Sequence, residues 1–240
     1  MPKLKINGIE HEFDKGVTVL EAARFLGLPI PTLCHEDGLS PAGACRLCVV
    51  EVTQPGSNGR SKLLSSCTTP IAEGMIVQTH SARVEKARML LLEMYVAVCP
   101  DSKRIQDMAA AAGLRQCRFE PDWDNHCIQC GLCVRICEEQ MMAGAIGFGF
   151  RGNKRKVMRA FDMTSEKCRQ CGACLNVCPV CEERCQGSTA TTALCDGCVN
   201  ISTVCYQSYD NAMCSLDPCH ACELPGPFRQ DVPIKVVGSK

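Results

Sequence analysis

The residues best suited to chemistry in this sequence are its cysteines, and the clearest group is a run of four that occurs twice. Cys127-x2-Cys130-x2-Cys133-x3-Cys137 is followed by Cys168-x2-Cys171-x2-Cys174-x3-Cys178-Pro179. This spacing holds two [4Fe–4S] clusters, and the fourth cysteine of each run ligates the other cluster. The first cluster is therefore expected on Cys127, Cys130, Cys133 and Cys178. The second is expected on Cys137, Cys168, Cys171 and Cys174.

A glycine follows the second cysteine of each run, at Gly131 and Gly172. Glycine suits a backbone that must pass close to an inorganic core, because it has no Cβ. Glu138 stands after the first run where the second has Pro179, which is a mild departure from the pattern. Zinc knuckles are the alternative interpretation of these runs, but the duplicated four-cysteine spacing favours [4Fe–4S] clusters.

A third group of cysteines precedes these runs, with the spacing Cys34-x10-Cys45-x2-Cys48-x18-Cys67. A close pair with one distant cysteine on either side is similar to a plant-type [2Fe–2S] site, although the first gap here is longer. Each of the two irons needs two thiolates, so four cysteines on loops complete the site. A zinc ion would prefer two compact pairs, and only one pair is present. We therefore predict a [2Fe–2S] cluster on these four residues.

The remaining large group of cysteines lies near the end of the sequence, in a segment with little periodicity. Cys195-x2-Cys198-x20-Cys219-x2-Cys222 fits the spacing of a zinc ribbon, and an additional iron–sulfur cluster is the competing interpretation. We favour a further [4Fe–4S] cluster over zinc, with free or disulfide-bonded thiols as the third possibility. The candidate ligands are Cys181, Cys185, Cys195, Cys198, Cys205, Cys214, Cys219 and Cys222.

Composition supports metal ligation over disulfides. The chain has 240 residues with 22 cysteines, and it carries 26 basic and 26 acidic side chains. It shows no secretory signal pattern at Met1 and no apolar run long enough to span a membrane, so we expect a soluble cytoplasmic protein whose thiols stay reduced. The balanced charge predicts no nucleic-acid binding. The basic segment 151–159 is expected to be a solvated hairpin turn, with a docking patch for an acidic redox partner as the alternative.

The elements that must position the cysteines can also be predicted. Asn7-Gly8 favours a tight hairpin between strands 3–6 and 9–13, and Thr18 with Glu21 forms a capping box that opens a helix to about Leu26. Strands are predicted at 47–52, 75–79, 145–150 and 156–161, and helices at 82–98 and 102–112. Residues 54–60 are predicted as a loop, and the last eighteen residues as an extended tail.

The segment Pro31-Thr-Leu-Cys-His-x4-Ser-Pro-Ala-Gly-Ala-Cys-Arg-Leu-Cys-Val-Val-Glu51 resembles the N-terminal iron–sulfur region of the large peripheral-arm subunit of respiratory complex I. It is equally similar to the diaphorase or electron-transfer subunits of NAD-linked hydrogenases and formate dehydrogenases, and the resemblance covers roughly residues 1–180. In that family the clusters connect a flavin, usually on a partner subunit, with a second redox site. The resemblance implies the same partners here, in a hetero-oligomeric complex.

The family often carries another [4Fe–4S] cluster, bound by the pattern H-x3-C-x2-C-x5-C. Alignment on Cys99 places Tyr95, Ser102 and Met108 at the other three positions, so we predict no cluster there. Cys99 and Cys117 are then expected to be buried apolar thiols. His35 follows the predicted ligand Cys34, and His126 precedes Cys127. We expect both histidines to lie at the surface or beside a cluster rather than to bind iron.

These observations predict an α+β protein in four parts. They are a β-grasp [2Fe–2S] domain (1–80), a helical connector (81–120), a ferredoxin-like two-[4Fe–4S] domain (121–180) and a cysteine-rich extension with a tail (181–240). No Rossmann or P-loop fingerprint occurs, so we expect the chain to bind neither nicotinamide nor flavin through a Rossmann unit. The cluster motifs predict an electron-transfer subunit without catalytic residues of its own. The alternatives are a metal-stabilised scaffold or sensor and a free-standing multi-cluster ferredoxin.

Overall fold

The computed structural model describes residues 1–100, 102–122, 125–163, 165–180 and 235–236. The eight cysteines from 181 onwards lie outside the described residues. No helix within those ranges is long and apolar enough to cross a lipid bilayer.

The N-terminal part of the chain is built on a mixed five-stranded sheet. Its order is β2-β1-β5-β3-β4, with β1 parallel to β5 and the other neighbours antiparallel. The predicted hairpin is confirmed, because Asn7 and Gly8 both adopt positive φ between the first two strands. The strands are β1 (Lys3–Ile6), β2 (Ile9–Glu12), β3 (Val49–Thr53), β4 (Ser61–Ser65) and β5 (Met75–Gln78).

Helix α1 (Val19–Phe25) packs against this sheet and closes a β-grasp core. Its capping box is confirmed: Thr18 Oγ1 accepts from the Glu21 N–H, and Glu21 Oε2 accepts from the Thr18 N–H at 2.7 Å. The helix buries Val19 and Leu20 against Ile6 of the sheet. Strand β4 was not predicted, because Ser61–Ser65 contains only two apolar residues and lies at the edge of the sheet.

The connector consists of two helices and a short strand. Helix α2 (Ala82–Val98) has the predicted bounds, and α3 (Lys103–Ala111) begins one residue after the predicted start, with Ser102 as its N-cap. Strand β6 (Gln116–Cys117) pairs with β9 (Lys235–Val236) in parallel. Residues of α2 and α3 pack in one apolar cluster with residues of both cysteine-bearing parts.

The second cysteine-bearing part is composed of short elements. Helix α4 (Leu132–Arg135) continues into a π-helical turn (Ile136–Gln140), and α5 (Ala173–Asn176) occupies the equivalent place in the second run. The intervening hairpin pairs β7 (Gly147–Gly149) with β8 (Lys156–Met158). Both strands are shorter than predicted. Beyond β8 the backbone cannot continue as a strand, because Phe161 adopts a φ of 56°.

The buried side chains form two apolar clusters. One lies under the N-terminal sheet and includes Cys48 and Cys67. The other, which we call the shared apolar cluster, includes Cys34 and Cys45 from the N-terminal part, Leu92 from α2 and Cys130 from the second cysteine-bearing part. Because this cluster draws on three parts of the chain, the loop that carries Cys34 and Cys45 shares its packing with the four-cysteine runs.

Candidate metal centres

The four cysteines of the predicted [2Fe–2S] site come together on loops at one end of the sheet. Cys34 and Cys45 precede β3, Cys48 lies at its start, and Cys67 lies in a short 3₁₀ helix after β4. All four are at most 2% exposed. The Cys48 and Cys67 Sγ atoms lie 3.3 Å apart, and the Cys45 N–H donates to Cys34 Sγ at 3.2 Å.

The thiols of this site interact in two pairs. The hydrogen bond between Cys34 and Cys45 lowers the pKa of Cys34 to about 6, and the one between Cys48 and Cys67 lowers the pKa of Cys48 to about 5. The pKa values of Cys45 and Cys67 are raised by these same hydrogen bonds and by burial. Metal binding requires thiolates and so displaces their protons. Cys34, Cys45, Cys48 and Cys67 would together hold a [2Fe–2S] cluster, which needs two thiolates for each iron.

Arg88 of helix α2 supports the loop between these pairs. Its guanidinium donates to the Leu47 carbonyl at 3.2 Å and to the Val49 carbonyl at 2.7 Å, on either side of Cys48. The side chain is buried, and burial lowers its pKa, whereas the nearby Cys48 opposes that shift. This role was not predicted from the sequence. A signal was available, because Arg88 lies four residues from both Val84 and Leu92 on the buried face of α2.

A cavity in the second part of the chain is lined by all four thiols assigned to the first [4Fe–4S] cluster. It measures about 320 Å³ and also contacts Ile128, Ile146 and Val157. Burial raises the pKa of Cys130 to about 12, and Cys178 and Cys127 add to that shift. The pKa of Cys133 is raised for the same reasons. The four cysteines are Cys127, Cys130, Cys133 and Cys178, and Cys174 of the second run lines this cavity as well.

A second cavity of about 40 Å³ collects the other four thiols. Burial raises the pKa of Cys174 to about 11, with contributions from Cys137, Cys171 and Cys168 in that order. The Ala145 N–H donates to Cys137 Sγ at 3.3 Å, as the Gln129 N–H does to Cys127 Sγ in the first cavity. Its four cysteines are Cys137, Cys168, Cys171 and Cys174.

The second cavity thus takes three thiols from the second run and Cys137 from the first, whereas the first cavity takes three thiols from the first run together with Cys174 and Cys178 from the second. Within the described residues, no three His, Cys, Asp or Glu side chains converge as ligands of a single metal ion. Thiolates of a cubane bind different irons and must surround a body, so the two observations are compatible. The ligand sets stay predictions, and the donors present fit iron–sulfur clusters in number and chemical type.

The backbone of the two runs is duplicated as closely as their spacing. Gln129 and Gln170, each just before the second cysteine, both adopt positive φ, and so do Gly131 and Gly172 just after it. Both glycines cap the short helix that follows. At Gly131 a Cβ would approach the Phe148 ring to 3.3 Å, so the close neighbour of this glycine in the structure is an aromatic ring.

The four residues aligned with the family's histidine-and-cysteine pattern, Tyr95, Cys99, Ser102 and Met108, pack against other parts of the protein. Tyr95 donates its hydroxyl hydrogen to the Cys45 carbonyl at 3.0 Å, and burial raises its pKa. Ser102 is fully buried, and Met108 packs against the shared apolar cluster. The predicted burial of Cys99 and Cys117 is confirmed, because both are fully buried. That these positions bind no metal stays a prediction.

The two histidines beside predicted ligands differ in their surroundings. His35 Nε2 lies 3.3 Å from Asp37 Oδ1, and its Nδ1 is buried without a hydrogen-bond partner. His126 lines the first cavity next to Cys127. Both therefore lie beside candidate centres, as the sequence predicts, and that neither binds iron stays a prediction.

Comparison with known proteins agrees with this geometry. Residues 2–82 match the family described as a 2Fe-2S iron–sulfur cluster binding domain, and residues 126–185 match the 4Fe-4S dicluster domain. The fold and the cysteine cavities thus define an iron–sulfur protein with a [2Fe–2S] domain followed by a [4Fe–4S] dicluster domain.

Individual relatives identify the family. The chain is 35% identical to a subunit of an NADH-quinone oxidoreductase of Rhizobium meliloti and 32% identical to the HndD subunit of the NADP-reducing hydrogenase of Solidesulfovibrio fructosivorans. Each alignment covers 75% of this chain, but only 23% and 35% of those proteins. The crystal structure of an NAD⁺-reducing [NiFe]-hydrogenase in the H2-reduced state matches with a TM-score of 0.60 at 30% identity, covering 75% of this chain and 85% of that one. The chain belongs to the iron–sulfur subunit family that these proteins share.

The two [4Fe–4S] sites are expected to differ in their sensitivity to oxygen. Cys171 of the second cavity is exposed, whereas Cys130 of the first is buried. Exposed thiolates and their irons meet oxidants first, so air should remove the second cluster severalfold faster. Electron paramagnetic resonance during timed exposure to air measures the loss of each cluster. The variants Cys178→Ser and Cys137→Ser, each expected to lack one cluster, assign the signals. Equal rates, or earlier loss of the first cluster, would contradict the expectation.

Proposed function

We propose that the chain relays single electrons along iron–sulfur clusters as a subunit of a multi-subunit NAD(P)H-linked oxidoreductase. The observation that carries the proposal is the pair of cavities, each lined by at least four cysteines drawn from both runs. The relatives named as subunits of an NADH-quinone oxidoreductase and an NADP-reducing hydrogenase support it. The four buried thiols of the predicted [2Fe–2S] site support it as well.

The residues of this chain would hold the clusters and shield them. Cys34, Cys45, Cys48 and Cys67 would bind the [2Fe–2S] cluster, and the two cavities would bind one [4Fe–4S] cluster each. When bound, these groups supply one-electron transfer. The main-chain N–H of Cys45 that donates to Cys34 favours the thiolate form of that residue, and the Ala145 N–H donates to Cys137 Sγ in the second cavity.

The partners follow from the electron count. NAD(P)H delivers two electrons as a hydride, whereas each cluster accepts one, so a flavin must stand between them. The sequence carries no dinucleotide-binding fingerprint, and we place the flavin on a partner flavoprotein. A second redox subunit, such as a hydrogenase, a formate dehydrogenase or a ferredoxin-dependent enzyme, would complete the path. We propose no contact with nucleic acid and no direct membrane insertion.

We also propose at least one further metal centre within residues 181–222, with Cys195 and Cys198 among its ligands. This segment lies outside the described residues, so the proposal rests on its cysteine spacing. A cytoplasmic location is proposed on the state of the thiols. The fourteen cysteines that the structure describes form no disulfide, which suits a reducing compartment.

Cluster content and redox behaviour test the proposed function. The chain, purified without oxygen, should carry at least about ten irons, two from the [2Fe–2S] site and eight from the cubanes. Iron and sulfide analysis measures this, and dithionite followed by reoxidation should reduce and restore the clusters. Four irons or fewer would contradict the cluster assignment. Clusters that cannot be reversibly reduced would indicate a metal-stabilised scaffold, and a chain that never copurifies with a flavoprotein would indicate a free-standing ferredoxin.

A further inference from the structure

The first four-cysteine run contacts the [2Fe–2S] loop through one short segment. We call residues 132–140, which comprise α4 and the π-helical turn, the bridging segment, and residues 34–40 the Cys34 loop. Glu139 of the bridging segment accepts from the Ser40 N–H at 2.7 Å, and Gln140 donates to the Gly38 carbonyl at 2.7 Å. These residues are about 100 positions apart in sequence, so the contacts are tertiary.

Arg135 makes the contact nearest to a predicted ligand. Its Nη2 donates to the carbonyl of Cys34 at 2.6 Å, and its Nη1 donates to the carbonyl of Ser40. It therefore spans both ends of the Cys34 loop with one planar group. Leu33 and Leu39 of that region pack with Leu132 in the shared apolar cluster, which keeps the contact partly shielded from water.

Arg135 is more buried than an arginine that only forms a contact at the surface. Its Nε is buried and has no hydrogen-bond partner, which is a cost that surface arginines avoid. Its main-chain acceptors carry no formal charge, and within the described residues no carboxylate forms an ion pair with it. A part-buried cation is thus held against the backbone of Cys34, and the nearby Glu139 carboxylate binds the N–H of the same Ser40.

We propose that Arg135 is a positioning residue that fixes the Cys34 loop against the ferredoxin-like part and raises the reduction potential of the [2Fe–2S] site. The inference rests on the proposed function, because it concerns the cluster that Cys34 would help to hold. It adds a residue from another part of the chain, 101 positions away, to the control of that site.

The sign of the effect follows from charge. Reduction adds one negative charge to the [2Fe–2S] site, and a fixed positive charge nearby stabilises the reduced form. Removing the cation should therefore lower the potential. Simple opening of the contact acts in the opposite direction, because water entering beside Cys34 also stabilises the more highly charged reduced form. The two explanations thus predict shifts of opposite sign.

The test compares Arg135→Gln, Arg135→Lys and Arg24→Gln in the full chain. Redox titration followed by electron paramagnetic resonance, at temperatures where [4Fe–4S] signals are broadened, reports the [2Fe–2S] site alone. Arg135→Gln should reduce the reduced-to-oxidised ratio at a fixed solution potential about tenfold, equivalent to about 59 mV for one electron. Arg135→Lys keeps the charge and should lose less than half of that shift. Arg24 binds Asp37 of the same loop at the surface, 2.8 Å away, and its variant should match the wild type.

Each outcome separates the two claims. An unchanged or raised potential in Arg135→Gln, with the [2Fe–2S] signal intact, would overturn the role of Arg135 and leave the proposed function standing. An equal shift in Arg24→Gln would overturn it too, because any cation near the loop would then suffice. Absence of a reducible [2Fe–2S] signal in the wild-type chain would instead remove the proposed function. If Arg135→Gln misfolds, the Arg135→Lys titration still gives the sign of the shift.

Discussion

Cys178→Ser is expected to abolish the [4Fe–4S] cluster of the first run while sparing that of the second run, to which Cys178 belongs in sequence. Cys178 lines the cavity of Cys127, Cys130 and Cys133. Serine is a poor replacement because its hydroxyl stays protonated where a thiolate is needed. Iron content should fall by about four per chain, and Mössbauer and paramagnetic resonance spectra should lose one cubane.

Two companion variants make this result specific. Cys137→Ser should remove the other cubane, because Cys137 lines the second cavity. Cys117→Ser serves as the control: Cys117 is fully buried, its thiol donates to the Glu93 carbonyl, and it lines neither cavity. Iron content should be unchanged in that variant. Damage in Cys178→Ser confined to the Cys168–Cys174 site would show that each run keeps its own fourth ligand.

Arg88→Met is expected to destabilise the N-terminal part by about 2–5 kcal/mol and to loosen the [2Fe–2S] site. The change leaves the buried carbonyls of Leu47 and Val49 without their donor, and each unmade hydrogen bond costs about 1–3 kcal/mol. The loss should be greater when the cluster is bound, because the cation lies near Cys48 and offsets its negative charge. Denaturant unfolding of the cluster-free and cluster-bound chains measures both effects.

Arg83→Met is the matched control for this variant. Arg83 lies on the same helix and pairs with Glu51 at 2.7 Å, but its side chain is 56% exposed. Exposed ion pairs contribute less than about 1 kcal/mol, so stability and iron retention should change little. Similar losses in both variants would contradict a special role for Arg88. Equal destabilisation of Arg88→Met with and without the cluster would contradict the electrostatic part of the explanation.

Local signals predicted much of the fold. The Asn7-Gly8 hairpin, the Thr18–Glu21 capping box and helix α2 were all readable from turn chemistry, capping and periodicity. Strand β4 was not, because an edge strand with few apolar residues carries a weak pattern. The hairpin of β7 and β8 was predicted too long, because where a backbone leaves the extended region depends on tertiary packing.

The candidate sites divide in the same way. Thiol spacing predicted three groups of four, and the structure brings each group together. The residues around them were less accessible to sequence reasoning. Arg88 left a trace as a cation on an apolar face, whereas Arg135 left none, since its partners are main-chain carbonyls about a hundred residues away. A side chain that recognises backbone does not depend on the identity of the residue it contacts.

If the two cavities exchange their fourth ligands as we propose, the exchange also constrains the order of assembly during synthesis. Chains emerge from the ribosome N-terminus first, at about 5–20 residues per second. The [2Fe–2S] ligands are complete once Cys67 has emerged, and those of the second cavity once Cys174 has. The first cavity, whose other three thiols appear earliest of the eight, waits for Cys178. The cubane that begins first along the chain is therefore the last that a loading system can finish, and truncation before Cys178 would leave three thiolates exposed to iron without a closed site.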